Sequence, residues 1–139
     1  MTEQTRRTVT LRRTGPGRFE ATNPRGGRIT FGDTEESFTP VELLLAAIGG
    51  CTGLDVDALT SRRAEPETFR VEVAAEKVRD AEGNHLRDVQ VTFHVTFPEG
   101  AGGDAAREIL PQAVARSHDR LCTVSRTVEL PTPVTSRVA

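Results

Sequence analysis

Residues 39–56 read TPVELLLAAIGGCTGLDV, and the fold turns on this stretch. Thr39 is a suitable N-cap, Pro40 suits the first helical position because its missing N–H would be unbonded there anyway, and Glu42 stands three residues after Thr39 as in a capping box. The run Leu43–Cys51 that comes next is apolar on every side, which predicts a helix buried all round. Asp55, Asp57 and Arg62 bring polarity back, so the C-terminal half should reach solvent near Arg63. Gly49 and Gly50 each cost about 1 kcal/mol relative to Ala inside a helix. They ask for close approach of a backbone or ligand beside Cys51.

On the N-terminal side of this helix, apolar residues alternate with period two. Val9 and Leu11 share one face, predicting a half-buried strand; Gly15-Pro16-Gly17 signals a turn; Phe19 and Ala21 alternate again. Asn23–Gly27 is a second turn, followed by Ile29 and Phe31, so the first 32 residues read as a three-stranded meander ending in the loop GDTEESF. On the C-terminal side, Phe69, Val71, Val73 and Ala75 alternate, Gly83 and Asn84 read as a hairpin turn, and Val89, Val91, Phe93, Val95 and Phe97 repeat the pattern. Asp104 reads as the cap of a second helix carrying Ala106, Ile109, Leu110, Ala113, Val114, Ser117 and Leu121 at helical spacing, with a kink or break expected at Pro111. The stretch VSRTVELPTPV predicts a short helix or strand. Strands, buried helix, long hairpin, second helix and tail make an α+β pattern.

The chain has 139 residues, a formal net charge of −2, six Phe, two Cys and no Trp or Tyr. The length fits a single domain over residues 1–139, with loose tails at 1–5 and about 134–139. Its hydrophobic fraction of 36% makes a thin core, which an oligomer would thicken. The mixed charge gives no reason to expect nucleic acid or anionic lipid as a partner. No run of about 18 apolar residues is legible, and MTEQTRRTVT lacks the apolar core of a signal peptide, so a cytoplasmic protein is expected.

Two cysteines in a reducing compartment are either small buried hydrophobes or redox-active thiols. Cys51 closes the longest apolar run beside two glycines. Cys122 stands 71 positions later in SHDRLCTVSRT, with His118 four residues before it and Arg120 and Arg126 nearby as cations able to stabilise a thiolate. A zinc site through Cys51, Cys122 and His118 lacks the usual ligand spacings. A Cys–His hydrolase lacks a base, since His85 falls in a turn and His94 on the polar face of a strand. GPG and RGGR do not lead from strand into helix as a phosphate loop does. Buried structural cysteines and a two-thiol redox site both remain compatible with the residues.

Thr39–Val56 together with SHDRLCTVSRTVEL, Ser117–Leu130, resembles the OsmC/Ohr family of osmotically induced proteins and organic hydroperoxide reductases, and the element order matches nearly throughout. The resemblance implies antiparallel sheets wrapped around two central helices in an intertwined homodimer, with sites at the subunit interface. It implies a peroxidase without metal or organic cofactor. In that scheme Cys51 attacks the hydroperoxide, Cys122 resolves the product to a disulfide, and a dithiol of dihydrolipoamide or thioredoxin type restores both. An arginine of the N-terminal strands and a glutamate at the helix start orient the nucleophile in the family; Arg18 is the first choice here and Arg28 the second, with Glu42 and His118 in support. The chain departs from the hydroperoxide reductases at Val41, which succeeds Pro40 where they carry Glu. Glu42 comes one residue later, about 100° around the helix, and Thr123 replaces a Pro often found after the second Cys. These departures resemble a branch whose helix opens with Pro, an apolar residue and Glu. The competing expectation is a non-catalytic or differently catalytic dimer that binds a small apolar or thiol ligand at the interface.

Overall fold

The computed structural model describes residues 5–139; most of the tail expected over 1–5 lies outside the described residues. The chain forms two compact units divided between Leu44 and Leu45, and helix α1, Pro40–Thr60, crosses the division.

The N-terminal unit holds the meander β1 (Thr10–Gly15), β2 (Arg18–Thr22) and β3 (Arg28–Gly32), paired antiparallel in that order. Phe19 pairs with Phe31 and Ala21 with Ile29, and the two phenyl rings stack with centroids 6.0 Å apart. The β2–β3 turn is held by the Asn23 carboxamide, whose Oδ1 accepts from the amides of Arg25 at 3.0 Å and Gly27 at 2.9 Å. Gly32 is required here: a Cβ on it would lie 2.1 Å from the Gly17 carbonyl. The strands are more open than the expected half-burial. Phe31 is buried, whereas Val9, Leu11 and Ile29 are 66%, 49% and 51% exposed.

The predicted capping box is present in full. The Thr39 amide donates to Glu42 Oε1 at 2.9 Å, and the Glu42 amide donates to Thr39 Oγ1 at 3.2 Å, so two otherwise orphaned N–H groups are satisfied reciprocally. Burial along α1 differs from the expectation. Ile48, Gly49, Thr52, Val56 and Thr60 are buried, a single stripe at helical spacing, while Leu54 is 74% exposed. The reason is geometric: within one chain α1 has the C-terminal hairpin and helices to pack against on one side. Gly49 has its explanation there, since a Cβ on it would lie 2.5 Å from Val73 Cγ2, whereas Gly50 faces open space. Hydropathy departs from the expectation as well. With 21 residues and a mean hydropathy of 1.4, α1 is long and apolar enough by composition to cross a membrane, because Gly, Ala and Thr extend the Leu-rich run without charge. It nevertheless packs on β4 through Gly49 and carries Asp55 hydrogen-bonded to another helix, the habit of a core helix.

The C-terminal unit is built on the hairpin β4 (Thr68–Asp80) and β5 (Gly83–Thr96). Val71 pairs with Phe93 and Val73 with Val91; Phe69 and Phe93 meet edge to face. The turn lies slightly earlier than predicted. Asp80 pairs with Gly83, leaving Ala81 and Glu82 as the two-residue loop, and Gly83 takes φ 99°, the positive value a tight turn assigns to glycine. A bulge between Ala74/Glu76 and Gln90/Arg87 puts Asp88 at φ 54°.

Helix α2 (Ala101–Arg116) starts earlier than predicted, with Gly100 as its N-cap residue in place of Asp104. Gly103 allows this, because a Cβ on it would lie 1.7 Å from the Pro98 carbonyl. Pro111 does not break the helix; the missing amide bond costs little on its exposed side. The deformation comes later, as a π-helical turn at Ser117–Leu121, succeeded by the short helix α3 (Thr123–Glu129) and an exposed tail.

Candidate active site

The two cysteines meet in the C-terminal unit. Cys51 lies on α1 directly before buried Thr52 and is half-buried; Cys122 lies between the π turn and α3 and is 2% exposed. The π turn places the second thiol. It closes with the Cys122 amide donating to the Ser117 carbonyl at 2.8 Å, an i to i−5 bond, and π turns recur at functional sites because the extra residue re-aims the side chains beyond it. Cys122 then leaves helical geometry, at φ −76° and ψ 104°, and caps α3 with its own sulfur. Sγ accepts from the Ser125 amide at 3.4 Å and lies 3.2 Å from Ser125 Oγ. The Ser125 hydroxyl accepts from the thiol or donates to the thiolate, so it serves both protonation states.

The two thiols lie close enough to influence each other, and their acidities shift in opposite directions. Burial pushes Cys51 up; the Val124 amide draws it back, but the Cys122 sulfur and the Asp55 carboxylate add to the rise. Burial also opposes ionisation of Cys122. Hydrogen bonds from the Ser125 hydroxyl and amide, the Cys51 thiol and the Val124 amide outweigh it, and the Cys122 thiol is held below its ordinary value. The pair therefore favours a proton on Cys51 and a negative charge on Cys122.

Sequence reasoning missed the polar chain beneath the sulfurs. The hydroxyl of Ser117, fully buried, donates to Asp55 Oδ2 at 2.8 Å and lies 2.7 Å from Thr52 Oγ1. Thr52 and Asp55, close to one helical turn apart on α1 just beyond Cys51, thus tie that helix to the residue whose carbonyl positions Cys122. The available signal was a serine and a threonine at positions of the apolar periodicity. A buried hydroxyl there needs a partner.

The remaining predicted residues fall elsewhere. His118 turns to two carboxylates, with Nδ1 3.0 Å from Asp119 and Nε2 3.0 Å from Glu129, and the Asp119 hydrogen bond with the charge of Glu129 raises its pKa. Its ring is thus engaged away from Cys122: the π turn breaks the four-residue spacing that would have aligned them. Arg126 donates to the Asp119 carbonyl. Arg18 opens β2 opposite Gly15, with its guanidinium over that glycine, and Arg28 opens β3 opposite Thr22. These two, with Glu42 in its capping box, belong to the N-terminal unit. Among the described residues, no three His, Cys, Asp or Glu side chains group as metal ligands would.

Comparison with known proteins agrees with this architecture. Residues 32–137 match the model of the family described as OsmC-like protein. An uncharacterised protein of Mycobacterium tuberculosis strain H37Rv is 30% identical over 131 residues, covering 92% of this chain and 93% of that protein. An OsmC-like protein of Vibrio cholerae superposes with a TM-score of 0.74 at 13% identity over 91% of this chain and 95% of that one. The organic hydroperoxide resistance protein OhrB of Bacillus subtilis superposes with a TM-score of 0.54 at 18% identity over 89% and 90%. At such identities the superpositions speak for the fold alone. The family match spans most of the sequence, from the end of β3 through α3, and on that ground the chain belongs to the OsmC/Ohr family.

Proposed function

We propose that the protein is a cytoplasmic thiol-dependent peroxidase that reduces organic hydroperoxides or hydrogen peroxide in oxidative and osmotic stress. The observation that carries this reading is the closeness of Cys51 and Cys122, 71 positions apart in sequence, each of which perturbs the acidity of the other. Two neighbouring thiols can close to a disulfide when their Cα atoms come within about 7 Å, and the accessible partner is the one on α1. Cys51 attacks the peroxide and becomes a sulfenic acid; Cys122 condenses with it to a disulfide. A dithiol of dihydrolipoamide or thioredoxin type returns both to thiols. The hydroperoxide resistance named for the Bacillus subtilis relative supports the substrate class. Arg18, or Arg28 in its place, supplies the cation for the departing oxygen, with Glu42 beside the helix start; the family resemblance supports both assignments. Metal and organic prosthetic groups have no part in the scheme.

The deciding assay tracks consumption of cumene hydroperoxide and of hydrogen peroxide with dihydrolipoamide or thioredoxin as reductant. Turnover with disulfide formation is expected. Indifference to both peroxides would sink the reading and favour a dimer that binds an apolar or thiol ligand. Cys122→Ser is expected to slow turnover and let Cys51 proceed to sulfinic acid, seen by mass spectrometry of the peroxide-treated protein.

We further infer a homodimer. The support is an apolar groove on α1, lined by Ala46, Gly50, Gly53 and Leu54, in which Leu54 is 74% exposed beside small residues that admit a close neighbour. Sedimentation should give twice the 15.1 kDa chain mass; a monomer at micromolar concentration would refute it.

A further inference from the structure

Beyond the thiols along α1, helices α1 and α2 enclose a groove of about 270 Å³. Each helix lines it at helical spacing. The end of α1 and the turn after it give Leu59, Arg62 and Arg63, and α2 gives Ile109, Gln112, Ala113 and Arg116. Burial sorts these residues into two layers. Ala113 is buried and Leu59 and Ile109 are half-buried, making an apolar floor, while the three arginines and Gln112 stand exposed around it. Among the described residues, no Asp or Glu lines the groove, and the guanidinium groups of Arg62, Arg63 and Arg116 form no ion pair or hydrogen bond with the protein. Arg107, elsewhere on α2, is by contrast tied to Asp104. The backbone beneath the cations is held. The Arg63 amide donates to the Thr60 carbonyl at 3.0 Å, and a Cβ on Gly102 would lie 2.7 Å from the Arg63 carbonyl, so the turn after α1 is seated on the start of α2.

Like charges gathered around one concavity repel one another until an anion enters. Guanidinium forks match the oxygens of phosphate and carboxylate. Three of them exceed what one carboxylate can neutralise, and they suit the roughly two negative charges and the acceptor oxygens of a phosphate monoester. The apolar floor asks for carbon attached to that phosphate, which the inorganic ion lacks. We propose that the groove between α1 and α2 binds a small organic phosphate monoester, with Arg62, Arg63 and Arg116 on the phosphate oxygens and Leu59, Ile109 and Ala113 under the organic part. A helix C-terminus favours a nearby cation, which explains Arg116 in the last turn of α2 but not three arginines over one floor with no acid among them. The site also stays open in the dimer inferred above. Leu59 stands nine positions beyond Gly50, or two and a half helical turns, so this face of α1 is turned away from the groove assigned to the second copy.

Isothermal titration calorimetry of the reduced full chain with phenyl phosphate, at low ionic strength and near neutral pH, tests the assignment. Saturable binding of one molecule per chain is expected. It should be tighter than that of inorganic phosphate by about fivefold or more, the scale of placing part of a ring on an apolar floor. Each of Arg62→Gln, Arg63→Gln and Arg116→Gln should weaken phenyl phosphate by about tenfold, the scale of one charge-assisted hydrogen bond. Arg79→Gln, on β4 and outside the groove, should leave the affinity unchanged. All of these side chains are exposed, so melting temperatures close to wild type should accompany the losses. Absence of saturable binding up to millimolar phenyl phosphate overturns the site. So does weakening by Arg79→Gln as large as that by Arg116→Gln, the pattern of a diffuse attraction to the whole surface. Equal affinity for phenyl phosphate and inorganic phosphate overturns the ester and the use of the floor. Neither cysteine takes part in this binding, so its outcome and that of the peroxidase assay are read separately.

Discussion

Cys51→Ser is expected to lower kcat/KM for cumene hydroperoxide by roughly three orders of magnitude or more, the scale of losing a covalent nucleophile. A serine hydroxyl in that position has no accessible anionic form near neutral pH and cannot store oxidising equivalents as a sulfenic acid. Cys122 cannot take over. At 2% exposure it is closed to solvent, its sulfur engaged with Ser125, and no second thiol would remain to resolve a sulfenic acid formed there. The substitution is nearly isosteric, so a thermal melt close to wild type should accompany the loss. Peroxide consumption by Cys51→Ser equal to that of the wild type would end the peroxidase reading, because Cys122, the other cysteine of the chain, is closed to solvent.

Ser117→Ala is expected to cost about 2 kcal/mol of stability, since it removes a hydrogen bond to a carboxylate and a second to Thr52. For a chain of this length the melting temperature should fall by about 5–10 °C. The cost should come largely from the stranded groups. Asp55 loses the donor held at 2.8 Å, and the buried Thr52 hydroxyl loses its partner at 2.7 Å. Asp55 is itself only half-buried, and water reaching it keeps the figure below that of a sealed carboxylate. A Ser117→Ala, Asp55→Leu double variant should regain part of the loss, since removing both partners leaves nothing charged to satisfy. A loss below about 0.5 kcal/mol in the single variant, the range of neutral surface changes, would mean that the polar chain does not hold α1 to the π turn.

The features legible in the sequence share a physical character. Thr39, Pro40 and Glu42 announce a helix through atoms within four residues of one another, and that capping box is closed in the structure. The alternation of Val71 and Val73 against Val91 and Phe93 likewise fixes a register through adjacent side chains. Where the outcome depended on distant partners, the sequence misled or was silent. Asp104 looks like a cap, but Gly103 lets α2 start close under the Pro98 carbonyl, and no local rule reports that space. Asp88 takes a positive φ at a bulge just ahead of Val89, a break that the alternation beyond it does not announce. The uniform apolarity of Leu43–Cys51 does not say which side this chain covers and which it leaves open. For the site, sequence supplied the two cysteines. Their closeness, the sulfur cap of α3 and the Asp55–Ser117–Thr52 chain depend on tertiary structure, and the four-residue spacing that favoured His118 fails because a π turn intervenes.

That π turn also bears on how related sequences can be read. It holds one residue more than an α-helical turn would, so everything after it is rotated by about 100° relative to an uninterrupted helix. The facing of Cys122 is accordingly a matter of counting, not of composition. A lineage that lost one residue between Ser117 and Leu121 could keep both cysteines, the same helices and a recognisable family signature while the sulfurs no longer met. Retained cysteines in such a descendant would be inheritance without chemistry, and the length of this one segment would tell the two cases apart.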